Sequence, residues 1–250
     1  MKTILNVKNL GKRFEGTQVL TDINFKVAEG EFIAIMGQSG SGKSTLLYNI
    51  SGMDRPTSGN VLFGGKEISK LDDKKMSEIR LKEMGFIFQH SHLLKNLSIR
   101  DNIVLPGFKS GSVSRDKINQ RADTLMIRTG ILSVADHDIK KVSGGQLQRA
   151  GICRALINQP NILFADEPTG ALNSSTTKDV MNIINKVNAE GTAVIIVTHD
   201  AKVAARADRV VFLMDGKIHD ELRLEKYDGD EEKEFSREKR LSGWLEERGF

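Results

Sequence analysis

A glycine-rich turn between an apolar strand and a helix constrains this 250-residue chain more than any other feature. Residues 31–36, Glu-Phe-Ile-Ala-Ile-Met, form the continuous apolar run of a strand buried on both faces. Gly37-Gln38-Ser39-Gly40-Ser41-Gly42-Lys43-Ser44 follows at once, and Thr45-Leu46-Leu47-Tyr48-Asn49-Ile50 then reads as helix. Between a strand and a helix, the pattern G-x-x-x-x-G-K-[ST] is a phosphate cradle. Its glycines let the backbone curl so that successive N–H groups face phosphate oxygens, and the helix N-terminus adds partial positive charge. Lys43 is expected to bridge the β- and γ-phosphates, Ser44 to ligate Mg2+, and Thr45 to donate further hydrogen bonds. A turn of this composition without a ligand is the plain alternative, and the complete motif in this context argues against it.

Elsewhere, strand and helix patterns alternate, which predicts an α/β fold with a parallel sheet. The first 30 residues alternate as strands do (Ile4, Asn6, Lys8; Ile23, Phe25, Val27). Residues 60–63, Gly64-Gly65 and residues 66–68 read as a hairpin, because Gly-Gly suits the positive φ angles of a two-residue turn. Strands are expected at 85–88, 161–165, 192–198 and 210–214, the last ending at Asp215-Gly216, and a helix at 176–190. Residues 91–160 carry helical signals, with turn residues at 107–114. The main domain is expected to span residues 1–218. In residues 219–250 acidic side chains outnumber basic ones, eleven to seven, and Leu241, Trp244 and Leu245 have the i, i+3, i+4 spacing of a short helix with one apolar face. That face is expected to cover its own domain in preference to a partner subunit.

Composition excludes several classes. The net charge of +4 is spread along the chain without a basic stripe, so no nucleic-acid partner is expected. No apolar run approaches the roughly 18 residues of a membrane span, and residues 1–10 lack the unbroken apolar core of a secretory signal. A single cysteine, Cys153, rules out an internal disulfide and reads as a small core residue. Lys140-Lys141 reads as a solvated pair. Asn185-Lys186-Val187-Asn188 only approaches the N-K-x-D by which GTPases read guanine, and it falls in a helical stretch.

A second acidic site lies downstream. Residues 162–165 are an apolar strand that runs into Asp166-Glu167. After a phosphate cradle, Asp166 is placed to hold Mg2+ through water, and Glu167 to face the attacking water as base or orienting group. In isolation a strand capped by solvated acids would read equally well. Some 20 residues earlier stands Val142-Ser143-Gly144-Gly145-Gln146-Leu147-Gln148-Arg149. Ser-Gly-Gly opens a helix and offers N–H groups and a hydroxyl to an anion.

This segment resembles the L-S-G-G-Q signature of the ATP-binding cassette (ABC) ATPases, with Val142 in place of the leading Leu. The remaining motifs of that family stand in order over residues 1–218. Gln89 resembles the Q-loop glutamine, a Mg2+ and water ligand that also senses the transmembrane partner. His199 resembles the switch histidine that contacts the γ-phosphate, and the C-terminal end of a parallel strand is where such a donor faces nucleotide. Phe14 resembles the aromatic residue that stacks on adenine, with an ordinary core Phe as the other reading. Gly85-Phe86-Ile87-Phe88-Gln89, Leu93-Leu94, Asp101-Asn102-Ile103, Leu105-Pro106 and residues 166–172 narrow the resemblance to the macrolide-exporter, lipoprotein-release and bacitracin-resistance group. The charged tail is more like the antimicrobial-peptide resistance cassettes. One departure is Asn173, which ends Gly170-Ala171-Leu172-Asn173 where most of the family has Asp.

The resemblance implies a P-loop NTPase fold with a RecA-like core, an antiparallel β subdomain and an α-helical subdomain at about residues 91–160. It implies an ATPase using ATP and Mg2+, in which two copies sandwich ATP between one phosphate loop and the Ser143, Gly144, Gly145 and Gln146 of the other. It further implies separately encoded integral membrane permease subunits that dock near residues 90–105, and a peripheral place on the cytoplasmic face of the cell membrane. Substrate and direction are not encoded here, although the subgroup favours export. Two other readings stand beside this one: a signalling or scaffold ATPase resembling the cell-division cassette protein, and a ribosome- or nucleic-acid-acting cassette. The latter type carries two cassettes or long coiled coils, which this chain lacks.

Overall fold

The computed structural model describes residues 2–250, apart from the side chains of residues 231 and 232. It comprises two compact units: one holds the chain up to Met76 together with Val187–Phe250, the other Ser77–Lys186.

The first unit begins with a meander of β1 (Thr3–Phe14) and β2 (Thr17–Ala28), joined by Glu15-Gly16. Both turn residues have positive φ, 45° and 89°, as a two-residue hairpin turn that matches strand twist requires. β4 (Ser58–Phe63) lies on the other edge of β1, and β5 (Lys66–Glu67) pairs with β4. The Gly64-Gly65 hairpin forms as expected, with φ of 54° and 82° and Phe63 opposite Lys66.

β3 (Phe32–Met36) is buried at every position. Its continuous apolar run is explained by its neighbours: β8 (Ala193–Val197) on one edge and β9 (Arg209–Met214) on the other, both parallel to it. α1 (Lys43–Ile50) follows the glycine-rich turn. β10 (Lys217–Arg223) then folds back antiparallel on β9 through Asp215-Gly216, whose φ angles are 48° and 71°. This strand runs through residue 218, where the change in composition suggests a boundary, because the sheet edge at β9 still offers unpaired backbone groups.

The charged tail is tied to the first unit. α8 (Glu231–Glu246) buries Leu241 and Leu245. Trp244 sets its ring edge-on to Phe212, 6.1 Å between centroids. Arg237, buried in α8, donates to Ala205 O and Ala207 O at 2.7 Å each and to Glu225 O. These are carbonyls left over just after α7 (Ala201–Ala204) and after β10, so one guanidinium satisfies three acceptors, two of them in buried bonds. The apolar face therefore covers its own domain.

The second unit holds the parallel pair β6 (Met84–Phe88) and β7 (Ile162–Asp166) and the helices α3 (Ile99–Ser110), α4 (Arg115–Arg128) and α5 (Gly144–Leu156). The unit boundaries fall within α2 (Asp73–Glu83) and α6 (Ser174–Ala189). Two details differ from the sequence reading. Helix α3 runs through Pro106 and Gly107 to Ser110, so the turn is confined to residues 111–114. Gly107 is there for packing: a Cβ on it would stand 2.7 Å from Ile118 Cγ2 of α4. Helix α2 has no counterpart in the sequence reading. Met76 alone among its residues is buried, so it carries no apolar stripe.

Candidate functional site

In the first unit the chain leaves β3 into a turn that only glycine permits at its start. Gly37 has φ 153°, and a Cβ there would lie 2.0 Å from Leu213 O and 2.8 Å from Ser41 Oγ. Gly40 and Gly42 also have positive φ, 80° and 99°. Gly42 is the N-cap of α1, so Lys43, Ser44 and Thr45 form its first turn, where backbone N–H groups have no helical acceptor. Lys43 Nζ curls back and donates to Gly37 O and Gln38 O, 2.8 Å each. Ser41 Oγ is buried and has no hydrogen-bond partner among the described residues. Such a cradle, with a cation across it and an orphaned hydroxyl in its wall, fits a polyphosphate.

Two further segments of the same unit, Asp215-Gly216 and the C-terminal tail, are hydrogen-bonded to this turn. Gly216 N–H donates to Ser41 O at 3.2 Å, and Gly216 O accepts from Thr21 N–H at 2.8 Å. The Asp215-Gly216 turn is thus bonded both to the loop and to β2. His199 follows β8, whose extension Thr198 N–H donates to Ile35 O at 3.2 Å. The imidazole is exposed at the same strand-end level as Met36 and Gly37, and Asp200, next in sequence, caps α7. Phe14, at the far end of β1, is 46% exposed. Lys12 Nζ sits 4.5 Å from its ring centroid, and with this exposure the plain core reading of Phe14 does not apply. From the C-terminal tail, Gly249 O accepts from Gln38 Nε2 at 3.2 Å.

In the second unit, parallel pairing sets Phe88 opposite Asp166. Gln89 and Glu167 therefore leave two adjacent strand ends together. Glu167 has φ 48°, a left-handed conformation unusual for a residue with a Cβ. It begins a turn closed by Gly170 N–H on Glu167 O at 3.1 Å. A Cβ on Gly170 would stand 3.0 Å from Gln89 Nε2, so the turn and the Gln89 side chain lie against each other.

Ser143 caps α5 in a reciprocal arrangement: Gln146 N–H donates to Ser143 Oγ at 3.3 Å, and Ser143 N–H donates to Gln146 Oε1 at 2.8 Å. Ser143 and Gly144 are exposed, so the helix start faces outward and is open to an anion. Gly145 is held against α6, where a Cβ would meet Thr176 Cγ2 at 2.7 Å. Gln148 is a residue whose part the sequence does not reveal; it is 3% exposed and donates to Phe88 O at the end of β6 and to Pro168 O just after β7. Its presence in the motif is visible, but its burial on the inner face of α5 is not.

The chain matches the ABC transporter family over residues 20–170. It belongs to that family. The ATP-binding protein LolD of the lipoprotein-releasing system of Aquifex aeolicus is 39% identical over 89% of this chain and 99% of its own length. The macrolide export ATP-binding/permease protein MacB of Acinetobacter baylyi is 43% identical over 87% of this chain. The cassette spans about a third of the length of the MacB relatives it matches. Among solved structures, the ATP-binding cassette MJ0796, as a post-hydrolysis dimer bound to ADP and Pi, is 36% identical with a TM-score of 0.83. It covers 90% of this chain and 100% of its own. CbiO1 of Clostridium perfringens is 31% identical with a TM-score of 0.81, covering 89% of each chain. The expected fold is thus the fold of the protein: a P-loop ABC cassette of the MacB and LolD type.

Proposed function

We propose that this cassette binds ATP with Mg2+ and hydrolyses it as the motor subunit of a membrane transporter. The observation that carries the reading is the Gly37–Lys43 cradle, with its orphaned hydroxyl and its inward lysine. Phe14 stacks on adenine. Gly37, Ser39, Gly40, Ser41, Gly42, Lys43, Ser44 and Thr45 hold the phosphates through N–H groups, hydroxyls and one ammonium. Ser44, Gln89 and Asp166 offer the hard oxygen donors that suit Mg2+ beside a substrate phosphate, and the ion supplies neutralisation of charge on the phosphate oxygens.

Glu167 orients a water and takes its proton as the water oxygen bonds to the γ-phosphorus. The bond from that phosphorus to the bridging oxygen of ADP breaks, and ADP and phosphate leave. His199 donates a hydrogen bond to the γ-phosphate. Ser143, Gly144, Gly145 and Gln146 cap the ATP held by a second copy, a use supported by the dimeric state of the MJ0796 cassette. In this reading residues 1–218 are the ATPase domain, residues 91–160 its helical subdomain, and residues 219–250 a tail that braces it.

Separate permease subunits fit a chain in which no helix of the described residues is long and apolar enough to cross a membrane. The assembly then sits peripherally on the cytoplasmic face of the membrane. The names of the relatives, macrolide export and lipoprotein release, favour a transporter over a cell-division scaffold. They support export or extraction from the membrane as the direction.

The test is the Glu167→Gln variant. It is expected to bind ATP, lose turnover and accumulate as an ATP-bound dimer on size exclusion; normal hydrolysis would remove Glu167 from this role. Purification from native membranes in mild detergent is expected to recover a large permease. A small four-span partner with cell-wall hydrolase regulators would favour the scaffold, and recovery with ribosomes or nucleic acid would overturn both.

A further inference from the structure

The side-chain amide of Gln148 donates to two main-chain carbonyls at once, Phe88 O at 2.9 Å and Pro168 O at 2.8 Å. Phe88 immediately precedes Gln89, and Pro168 immediately follows Glu167. Both hydrogens of one NH2 group are thereby committed, and glutamine is among the few uncharged side chains with two donors on one atom. The group is 3% exposed, so water cannot readily take its place.

The carbonyls it holds are not in equivalent settings. Phe88 ends β6, within a strand pair that already fixes it. Pro168 lies in the turn that starts at Glu167, whose φ of 48° carries a cost for any residue with a Cβ. A strained residue keeps its conformation only when its surroundings hold it there. Gln148 grips the carbonyl next to it and references it to the strand that delivers Gln89. Six residues further along the same helix, Arg154 Nη2 and Nη1 donate to Ser91 O at 2.6 Å and His92 O at 2.8 Å. Helix α5 therefore anchors the chain after Gln89 from its far side as well.

We infer that Gln148 is a positioning residue for hydrolysis: it fixes the Glu167 carboxylate and the Gln89 amide relative to each other and to the helix that starts at Ser143. The inference rests on the role proposed above for Glu167. Gln148 touches neither nucleotide nor water in this scheme. Gln148 bonds none of the residues Gly37 to Thr45 proposed to hold the phosphates, so the larger part of the expected defect lies in turnover.

Gln148→Met keeps the length and apolar stem of the side chain and removes both donors. In the full-length protein it is expected to lower kcat by about 10- to 100-fold, the cost of misplacing a catalytic group by a fraction of an ångström to an ångström. KM for ATP is expected to stay within about threefold. Gln148→Glu gives a second readout. Its carboxylate would face two carbonyl oxygens, and protonation would restore one donor. With the folded fraction followed by circular dichroism at each pH, the ratio of its rate per folded molecule to that of the wild type is expected to rise as pH is lowered from about 8 to about 6, which a loss of folded protein alone would not produce. This second variant carries the test if Gln148→Met does not fold. A folded Gln148→Met with kcat within twofold of the wild type, or a loss confined to KM, overturns the inference, as does a flat pH ratio for Gln148→Glu. Glu167→Gln assayed in parallel separates the two claims: if it turns over normally the role of Glu167 fails, and if it is inactive while Gln148→Met is normal only the positioning role fails.

Discussion

Asn173 Oδ1 accepts the Thr176 backbone N–H at 2.9 Å, and the Ser175 hydroxyl donates to the same oxygen at 2.9 Å. The residue that departs from the family pattern is thus the cap of α6. An N-cap needs an acceptor oxygen, which Asn and Asp both provide. Asn173→Asp is expected to leave the fold intact and to add about 0.3–1 kcal/mol through the helix dipole, with a modest change in ATPase turnover. Asn173→Ala removes the acceptor and is expected to cost about 1 kcal/mol. Thermal melts and steady-state turnover of the two variants check this; complete loss of turnover in Asn173→Asp contradicts it.

The steric limit at Gly37 is harder. Its added Cβ would meet a main-chain oxygen of Leu213 at 2.0 Å, and β9 is held in register with β3 beside it, Met36 opposite Phe212. Neither partner can move without breaking that pairing. Gly37→Ala is expected to cost at least about 1–3 kcal/mol and to abolish nucleotide binding. Gly40→Ala meets nothing within 4 Å, so only its φ of 80° opposes it, at about 1–2 kcal/mol. Titration with a fluorescent ATP analogue, alongside melting curves, should rank the two in that order. Equal behaviour would mean that the loop is not clamped against β9.

What the sequence made legible follows a physical rule. β3, β7 and β8 were readable because each is a continuous apolar run ending in a distinctive turn, and burial on both faces leaves that signature; the phosphate loop was readable because its glycines, lysine and serine stand at fixed spacing. The Gly64-Gly65 hairpin was readable because the turn type demands its residues. β10 was missed although Asp215-Gly216 announces the same kind of turn, since Lys217-Ile218-His219-Asp220-Glu221 looks like solvated tail until β9 supplies its partner. α2 was missed because one buried side chain makes no period. At the site, the residue types of Asp166, Glu167 and Ser143 announce chemistry, and Gln89 stands out by its place in the family's order of motifs. Gln148 does not, because its work is done on backbone carbonyls brought near it by tertiary structure.

Cys153 offers a test of the core around α5. Burial pushes its thiol up to about 12, and Thr129 Oγ lies 3.2 Å from the sulfur. The reactive thiolate is thus nearly absent at neutral pH. The native protein is expected to resist a maleimide at pH 8 for hours and to take up one equivalent after denaturation. Rapid labelling of the folded protein would show that α5 opens locally on that timescale.

Arg248 and Asp220 fasten the end of the tail to β10, and the sole tryptophan reports on them. Arg248 Nη2 and Nε donate to Asp220 Oδ2 at 2.5 and 2.8 Å, and Nη1 donates to Trp244 O at 2.6 Å. The guanidinium lies 4.3 Å from the Trp244 ring centroid. The hydrogen bond from Arg248, first, and the Glu221 N–H, second, hold the Asp220 carboxyl below its ordinary value of 3.8. A depressed acid in the folded state favours folding above 3.8, and that contribution is lost as pH falls below 3.8 through the lower folded value. Between pH 6 and 4 the Trp244 emission is therefore expected to be constant. Below 3.8 the clamp releases and the indole becomes more exposed to water, with a red shift in emission. Asp220→Asn lacks the titrating group, so its emission should already resemble the released state at pH 6 and should lack this step on acidification. Raising salt is expected to weaken the clamp in the wild type alone, because the pair is partly exposed and screened. Superimposable acid titrations of the two proteins would show that the tail is held by Leu241, Leu245 and Arg237 without help from this pair.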